Sequence, residues 1–178
     1  AGDVLICSTG LIGVGDEVFR GKVLSGTEQA IAALSTDGGQ AAAEAIMTTD
    51  SVSKTAVVSR DGWTIGGMAK GAGMLAPGLA TMLVVITTDA VLEPLEADAA
   101  LRFATGTTFD RLDSDGCMST NDQVTLLANG ASEVTPDLKD FSAALAELCQ
   151  ELAVKLQGDA EGASHDITIE VRHAATEG

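Results

Sequence analysis

The sequence predicts an α/β domain in which a mixed or antiparallel sheet is flanked by helices. Stretches whose apolar residues recur at helical spacing are interspersed with short β-branched runs, a mixture typical of layered α/β domains. Two of the short runs are joined by Arg60-Asp61-Gly62, a turn signal that indicates a β-hairpin. With 178 residues, of which 46% are hydrophobic, the chain can bury one core, and we expect a single domain over 1–178.

The first half of the chain is predicted to alternate between strands and helices. The run Val4-Leu5-Ile6-Cys7 is short and apolar, as in a buried strand. Leu24, Ile31 and Leu34 share one face of a helix that Asp37-Gly38-Gly39 ends. Further elements are expected at 40–47 (a helix), at 55–59 and 63–68 (the two hairpin strands) and at 82–86 (a buried strand).

The second half is predicted to carry two longer helices and two strands. Pro94 should begin the first helix, with Leu95, Ala99 and Phe103 on its apolar face, ahead of a strand at 124–128. The second helix is the clearest amphipathic segment of the chain; Thr135 and Pro136 predict its start, Gly158 its end, and its apolar face is Phe141, Leu145, Leu148, Leu152 and Leu156. Alternation of Ile167, Ile169 and Val171 with polar residues predicts a final strand with one buried face.

Charge and composition exclude several classes of function. The net charge of −16, from 26 acidic and 10 basic residues, would repel nucleic acid and anionic lipid, so neither is expected as a partner. No apolar run approaches the roughly 20 residues that span a bilayer, and the three cysteines, Cys7, Cys117 and Cys149, fit a reducing compartment. We therefore expect a cytoplasmic protein. Neither His165 nor His173 has a partner at metal-ligand spacing, so no metal or other cofactor is predicted.

Thr81 is the candidate nucleophile. It stands where the glycine-rich stretch from Lys70, with its Pro77-Gly78 turn, meets the apolar run 82–86. A threonine hydroxyl needs a base, and the α-amine of the same residue can serve once the preceding peptide bond is cut. The small Ala80 leaves room for Thr81 Oγ to attack the Ala80 carbonyl, which would cleave the chain at Ala80–Thr81. Without further information a threonine that opens a strand is usually structural, since threonine favours strands.

Five blocks of sequence, in the same order, resemble the glutamate N-acetyltransferase (ornithine acetyltransferase) family of arginine biosynthesis. They are Cys7-Ser8-Thr9-Gly10-Leu11-Ile12-Gly13, Ala-Ile-Met-Thr-Thr-Asp at 45–50, the run 70–83, Ser119-Thr120-Asn121-Asp122 and Asp159-Ala160-Glu161-Gly162. The resemblance implies an N-terminal-nucleophile-like fold and an enzyme that cleaves itself before Thr81. It implies transfer of an acetyl group from N-acetylornithine to glutamate through an acetyl-threonine, with acetyl-CoA as a possible donor substrate in some members.

The resemblance also assigns site residues. Thr9 and Gly10 would form the oxyanion hole, and Thr48, Lys70 and Glu161 would hold the amino-acid substrate. From the residues alone, each of these also fits an ordinary structural role in a turn, as a helix cap or as a solvated loop charge. The cleaved α and β chains would self-associate, as a heterotetramer in the full-length enzyme.

Some positions depart from the family pattern, and alternatives stay open. The segment 13–26 differs from the family pattern, Gln123 replaces a usual Thr, and Ser164-His165 replaces Thr-Lys, which weakens a basic contact or makes it pH-dependent. The chain looks like the middle of a longer polypeptide. A self-processing amidohydrolase, resembling aminopeptidases that release product to water, is one alternative, and a catalytically inactive structural fragment is the other.

Overall fold

The structure is a computed structural model that describes residues 4–9, 13, 15–76, 79–80 and 82–176, without the side chains of 76, 79 and 80. The helices of this part are α1 (Glu17–Ala32), α2 (Gly39–Ala45), α3 (Pro94–Thr107) and α4 (Leu138–Gly158), with a short 3₁₀ turn at Phe109–Arg111. The strands are β1 (Lys54–Arg60), β2 (Trp63–Lys70), β3 (Leu75–Ala76), β4 (Leu79–Ala80), β5 (Leu83–Thr88) and β6 (Gln123–Ala128). The predicted α/β class is confirmed.

A four-stranded mixed sheet with the order β1-β2-β5-β6 forms the centre of the fold. The predicted hairpin is confirmed: β1 and β2 are antiparallel, Arg60 faces Trp63, and Gly62 has the positive φ of 85° that the tight turn requires. Strand β2 pairs with β5 in the antiparallel sense, and β5 pairs with β6 in parallel. A parallel pair needs a long crossover, which here contains α3.

Helix α4 covers one face of the sheet and supplies more of the buried core residues than any other described element. Its predicted apolar face is confirmed, because Phe141, Leu145, Leu148, Leu152 and Leu156 are all 0% exposed. The Trp63 and Phe141 rings lie 5.4 Å apart at their centroids. Gly67 lets helix and sheet approach closely, since a Cβ at this position would lie 3.0 Å from Leu148 Cδ2.

Two details of the predicted helices are wrong. Helix α3 begins at Pro94 as predicted, but Leu95 and Phe103 are exposed, and the helix buries Ala100 and Ala104 instead. The small side chains allow α3 to lie close against α4. Helix α4 begins at Leu138, later than predicted, because the Asp137 side chain accepts the Lys139 and Asp140 N–H groups and caps the helix there.

The predicted strands at 4–7 and 167–171 are absent from the structure. Residues 4–9 and 163–172 have no regular secondary structure, and Ile6, Ile167, Ile169 and Val171 are each more than three-quarters exposed. Helix α1 is present, with Asp16 accepting the Phe19 N–H as its cap, yet none of its residues is buried. No described helix is both long and apolar enough to cross a membrane.

Candidate functional site

Lys70 is the last residue of β2, where the sequence had predicted a loop. Its Cα pairs with that of Leu83 at the start of β5, so the lysine lies beside the strand that follows position 81. A lysine is usually solvated, but Lys70 is only 2% exposed. Burial of the ammonium is what makes this position a candidate site.

Few polar groups surround the Lys70 ammonium. Within the described part of the chain it has one hydrogen-bond partner, Thr9 Oγ1, at 3.4 Å. Burial lowers the pKa of Lys70 below its ordinary value, the Lys54 charge adds to this, and the attraction of Asp50 and Asp122 opposes it. An ammonium has three donors, and the described contact with Thr9 uses one of them in a poorly solvated place. An anionic group would be bound favourably there.

The chain on either side of position 81 is held by neighbouring strands. Ala80 belongs to β4, whose backbone pairs with β3. The Met82 N–H donates to Asp122 Oδ1 at 3.1 Å, and the Met82 carbonyl accepts the Gln123 N–H at 3.0 Å. The predicted nucleophile Thr81 itself and the predicted oxyanion residue Gly10 lie outside the described residues, so their roles stay predictions.

Two of the five sequence blocks meet at a small polar cavity. The Asn121 side chain donates to the Ser8 carbonyl at 3.1 Å, which joins segment 6–9 to segment 119–122. The cavity of about 200 Å³ is lined by Ile6, Cys7, Ser8, Leu83, Thr120, Asn121, Asp122 and Gln123. Since Lys70 pairs with Leu83 and contacts Thr9, this cavity and the buried ammonium lie at the same end of the sheet.

Thr48 and Glu161 flank the loop that follows Lys70. Thr48 is exposed, and its backbone N–H donates to Asp50 Oδ2 at 3.2 Å. The Glu161 N–H donates to the Ala72 carbonyl, and its carboxylate lies so near Gly73 that a Cβ there would be 3.3 Å from Glu161 Oε2. The structure therefore brings Thr9, Thr48, Lys70 and Glu161 towards one region, although neither Thr48 nor Glu161 is among the polar partners of the lysine.

Sequence reasoning missed a buried ion-paired cluster beside these residues. Lys54 Nζ lies 2.7 Å from Asp50 Oδ1 and 2.6 Å from Asp159 Oδ2, and the three side chains are at most 9% exposed. Two signals could have indicated it. Asp50 and Asp159 each lie within a block that carries the family resemblance, and Lys54 follows Asp50 by four residues.

The carboxylates of this cluster are held in their charged form. For Asp50, burial alone would raise the pKa, but hydrogen bonds from Gly71, Lys54 and Thr48 outweigh burial, and the pKa is lowered. For Asp159, burial is likewise outweighed, by hydrogen bonds from Lys54 and Ser51, and its pKa is lowered too. Both acids therefore stay ionised beside Lys54.

A second cavity lies away from the predicted site residues. It has a volume of about 400 Å³, is mostly apolar and is lined by residues of α2, β1, β2 and β5, none of them a predicted site residue. Within the described residues no group of His, Cys, Asp or Glu side chains is arranged to hold a metal ion.

Fold and site together define a class: an α/β protein whose mixed sheet ends in a buried lysine beside a polar cavity. The ArgJ family model matches residues 1–178, and the chain belongs to this family. This confirms the family inferred from the five sequence blocks.

Relatives from several organisms are similar along almost the whole chain. The arginine biosynthesis bifunctional protein ArgJ of Streptomyces avermitilis is 63% identical over 177 residues, which is 99% of this chain and 46% of the relative. The proteins of the same name from Thermobifida fusca and Mycobacterium tuberculosis are 58% and 52% identical, with 45% and 44% of their lengths matched. The chain thus spans slightly less than half the length of these relatives.

Proposed function

We propose that this chain is the core of a self-processing acetyltransferase of arginine biosynthesis, which moves an acetyl group from N-acetylornithine to glutamate. The sheet would then belong to an N-terminal-nucleophile-like enzyme, cleaved between Ala80 and Thr81. The bifunctional name of the relatives favours acetyl-CoA as a second acetyl donor, used as a substrate and not as a bound cofactor. We further propose a cytoplasmic enzyme in which cleaved α and β chains assemble as a heterotetramer.

The observation that most supports this function is the buried Lys70 ammonium. Both N-acetylornithine and glutamate carry an α-carboxylate, and a desolvated ammonium binds a carboxylate strongly. Lys70 is 2% exposed, donates to Thr9 and pairs with Leu83, two residues after Thr81. A carboxylate held at Lys70 would place the rest of a small amino acid within reach of the residue at the cleavage point.

The proposed reaction has two acyl-transfer steps. Thr81 Oγ attacks the acetyl carbonyl of N-acetylornithine while the Thr81 α-amine accepts the hydroxyl proton. Thr9 and Gly10 stabilise the oxyanion, the carbon–nitrogen bond breaks, and ornithine leaves with the proton. The glutamate amine then attacks the acetyl-threonine ester, the carbon–oxygen bond breaks, and the Thr81 α-amine transfers the proton released by the glutamate amine to Oγ, which restores the Thr81 hydroxyl. Thr48 and Glu161 contribute to holding each amino acid, Glu161 through the substrate's amino group.

Mass spectrometry of the purified full-length protein tests the first part of the proposal. We expect two fragments that meet at Ala80–Thr81, and a single uncut chain for Thr81→Ala. A fully active protein that stays uncut would overturn the assignment of Thr81 as a terminal nucleophile.

Product analysis tests the second part. With N-acetylornithine and glutamate, the cleaved enzyme should form acetylglutamate and ornithine. Free acetate in place of acetylglutamate would instead indicate the amidohydrolase alternative, because water would then be the acceptor. The residues of this chain alone should show little turnover, since they span under half of the relatives' length.

A further inference from the structure

We propose that Asp50 is a positioning residue that holds the three substrate-binding segments around Thr48, Lys70 and Glu161 in one arrangement. The inference rests on the proposed function, which assigns substrate contacts to those three residues and none to Asp50. Among the described hydrogen bonds, the Asp50 carboxylate accepts none from the Lys70 ammonium. Its effect would be transmitted through backbone contacts, the ion pair with Lys54 and its electric field.

The Asp50 carboxylate uses both oxygens on neighbouring segments. Oδ1 accepts the Gly71 N–H at 2.7 Å, directly after Lys70, and also lies 2.7 Å from Lys54 Nζ. Oδ2 accepts the Thr48 N–H at 3.2 Å. Because these hydrogen bonds go to the backbone directly after Lys70 and at Thr48, the carboxylate ties the end of β2 to the segment that follows α2.

Lys54 extends the same arrangement to the segment that carries Glu161. Its ammonium also lies 2.6 Å from Asp159 Oδ2, and Asp159 accepts the Ser51 N–H at 2.9 Å. Asp159 is the C-cap residue of α4 and precedes Glu161 by two residues. The Glu161 N–H in turn donates to the Ala72 carbonyl. Segments 48–54, 70–73 and 159–161 are distant in sequence, yet these contacts close them into a ring.

The charges around Lys70 give Asp50 a second effect. Asp50 and Asp122 attract the buried Lys70 ammonium, Lys54 repels it, and Asp159 neutralises part of the Lys54 charge. Asparagine at position 50 would remove the stronger of the two attractions and leave Lys54. The pKa of Lys70 would then fall further below its ordinary value, and the site would lose its positive charge at a lower pH.

The test compares full-length Asp50→Asn and Asp159→Asn with Asp98→Asn as the matched control. Asp98 pairs with Arg102 on the exposed face of α3, so its change removes one acid from a surface ion pair far from the cluster in sequence. Asparagine is nearly isosteric with aspartate. Its NH₂ group takes the place of one carboxylate oxygen, however, and cannot accept the hydrogen bond that this oxygen had accepted. Self-cleavage at Ala80–Thr81 reports on folding in each variant.

Binding of glutamate, followed by calorimetry, is the main readout, with KM and kcat for acetyl transfer beside it. Both cluster variants should weaken glutamate binding and raise KM on the order of ten-fold or more, with a smaller change in kcat, because displaced binding groups are costly even when chemistry is intact. Asp50→Asn should also move the alkaline limb of kcat/KM to lower pH, and by more than Asp159→Asn, because Asp50 attracts Lys70 directly whereas Asp159 acts on it through Lys54. If Asp50→Asn does not fold, Asp159→Asn still carries the binding test.

The outcomes separate this inference from the proposed function. Glutamate affinity within about two-fold of the Asp98→Asn control in both variants would overturn the positioning role, whatever the enzyme catalyses. An unmoved alkaline limb in a folded Asp50→Asn protein would overturn the electrostatic part. If the wild type binds glutamate and the cluster variants do not, yet no acetyl transfer occurs, the inference stands and the proposed reaction fails.

Discussion

Replacement of Lys54 by methionine tests whether the buried cluster stabilises the fold through its charges. Methionine has a similar reach but carries no charge, so Asp50, with a side chain 0% exposed, and Asp159, at 9%, would face each other without a cation. Removing one partner of a buried ion pair typically costs about 3–5 kcal/mol. We expect a loss of this size in the free energy of unfolding near neutral pH.

The pH dependence of that loss identifies its cause. In the wild type the lowered pKa values of Asp50 and Asp159 contribute stability that is present above their unfolded pKa, near ~4, and is lost as pH falls through the folded values. In Lys54→Met, burial is no longer opposed by the ammonium, so the carboxyl pKa values rise. A raised folded pKa contributes stability at low pH that is lost as pH rises. The deficit of the variant should therefore shrink between about pH 7.5 and pH 5.

Urea unfolding of the full-length proteins at both pH values measures the difference. Arg102→Met, in the exposed pair with Asp98, is the control and should leave the unfolding midpoint close to that of the wild type at either pH. A deficit under ~1 kcal/mol for Lys54→Met at neutral pH would refute the estimate for a buried pair. An equal deficit at both pH values would show that packing, and not charge, is what the lysine contributes.

Three further experiments test the buried core and the hairpin turn. Leu148→Ala removes a side chain that lies between α4 and the sheet and is 0% exposed, and it should lower the free energy of unfolding in urea by about 2–5 kcal/mol. Leu95→Ala, at a position 85% exposed, should lower it by under ~0.5 kcal/mol, and equal losses would contradict the burial described. Burial raises the pKa of the Cys149 thiol to about 12, so a thiol reagent at neutral pH should modify this cysteine only after denaturation. Rapid labelling of the native protein would be inconsistent with the place of Cys149 in the core. Gly62→Ala introduces a Cβ at a backbone φ of +85° and 3.1 Å from Val134 Cγ2, and it should destabilise the folded protein by roughly 1–2 kcal/mol. A melting temperature unchanged from that of the wild type would show that the hairpin turn relaxes freely.

Helix α4 and the β1–β2 hairpin could be predicted because each carries its own complete signal. The apolar residues on one face of α4 recur over most of the helix and are buried against the sheet and α3. The hairpin needs only a turn of suitable chemistry between two strand-like runs, and Gly62 supplies it. In both cases the interactions that form the element are encoded within a short stretch of sequence.

The predicted strands at 4–7 and 167–171 fail for a reason that local patterns do not contain. Alternation of Ile167, Ile169 and Val171 shows which face could be buried, but a strand also needs a neighbouring ladder, and the described residues provide none for it. The apolar face of α3 was misjudged in a similar way. Leu95 and Phe103 are the larger residues, but the close approach of α4 selects the small Ala100 and Ala104 for burial.

The chemistry at Lys70 could be predicted only in part. Its place in a family motif indicated a substrate contact, but its burial arises from the pairing of β2 with β5 and from the contact with segment 8–9, which are distant in sequence. The cluster of Asp50, Lys54 and Asp159 has the same origin. Asp50 and Lys54 are four residues apart at the entry to β1, but Asp159 follows α4, and no local spacing relates it to the other two.

The arrangement of Asp50 explains how a lysine can be buried and still be available for a ligand. A carboxylate bonded directly to Lys70 would stabilise the ammonium but would occupy the donors that a substrate carboxylate needs. Here the hydrogen-bonding capacity of Asp50 is directed to Gly71, Thr48 and Lys54. Its charge still attracts Lys70 through space and offsets part of the cost of burial. Among the described residues, Asp50 thus supports the charge of Lys70 without being its hydrogen-bond partner, which is the arrangement that the proposed carboxylate substrate requires.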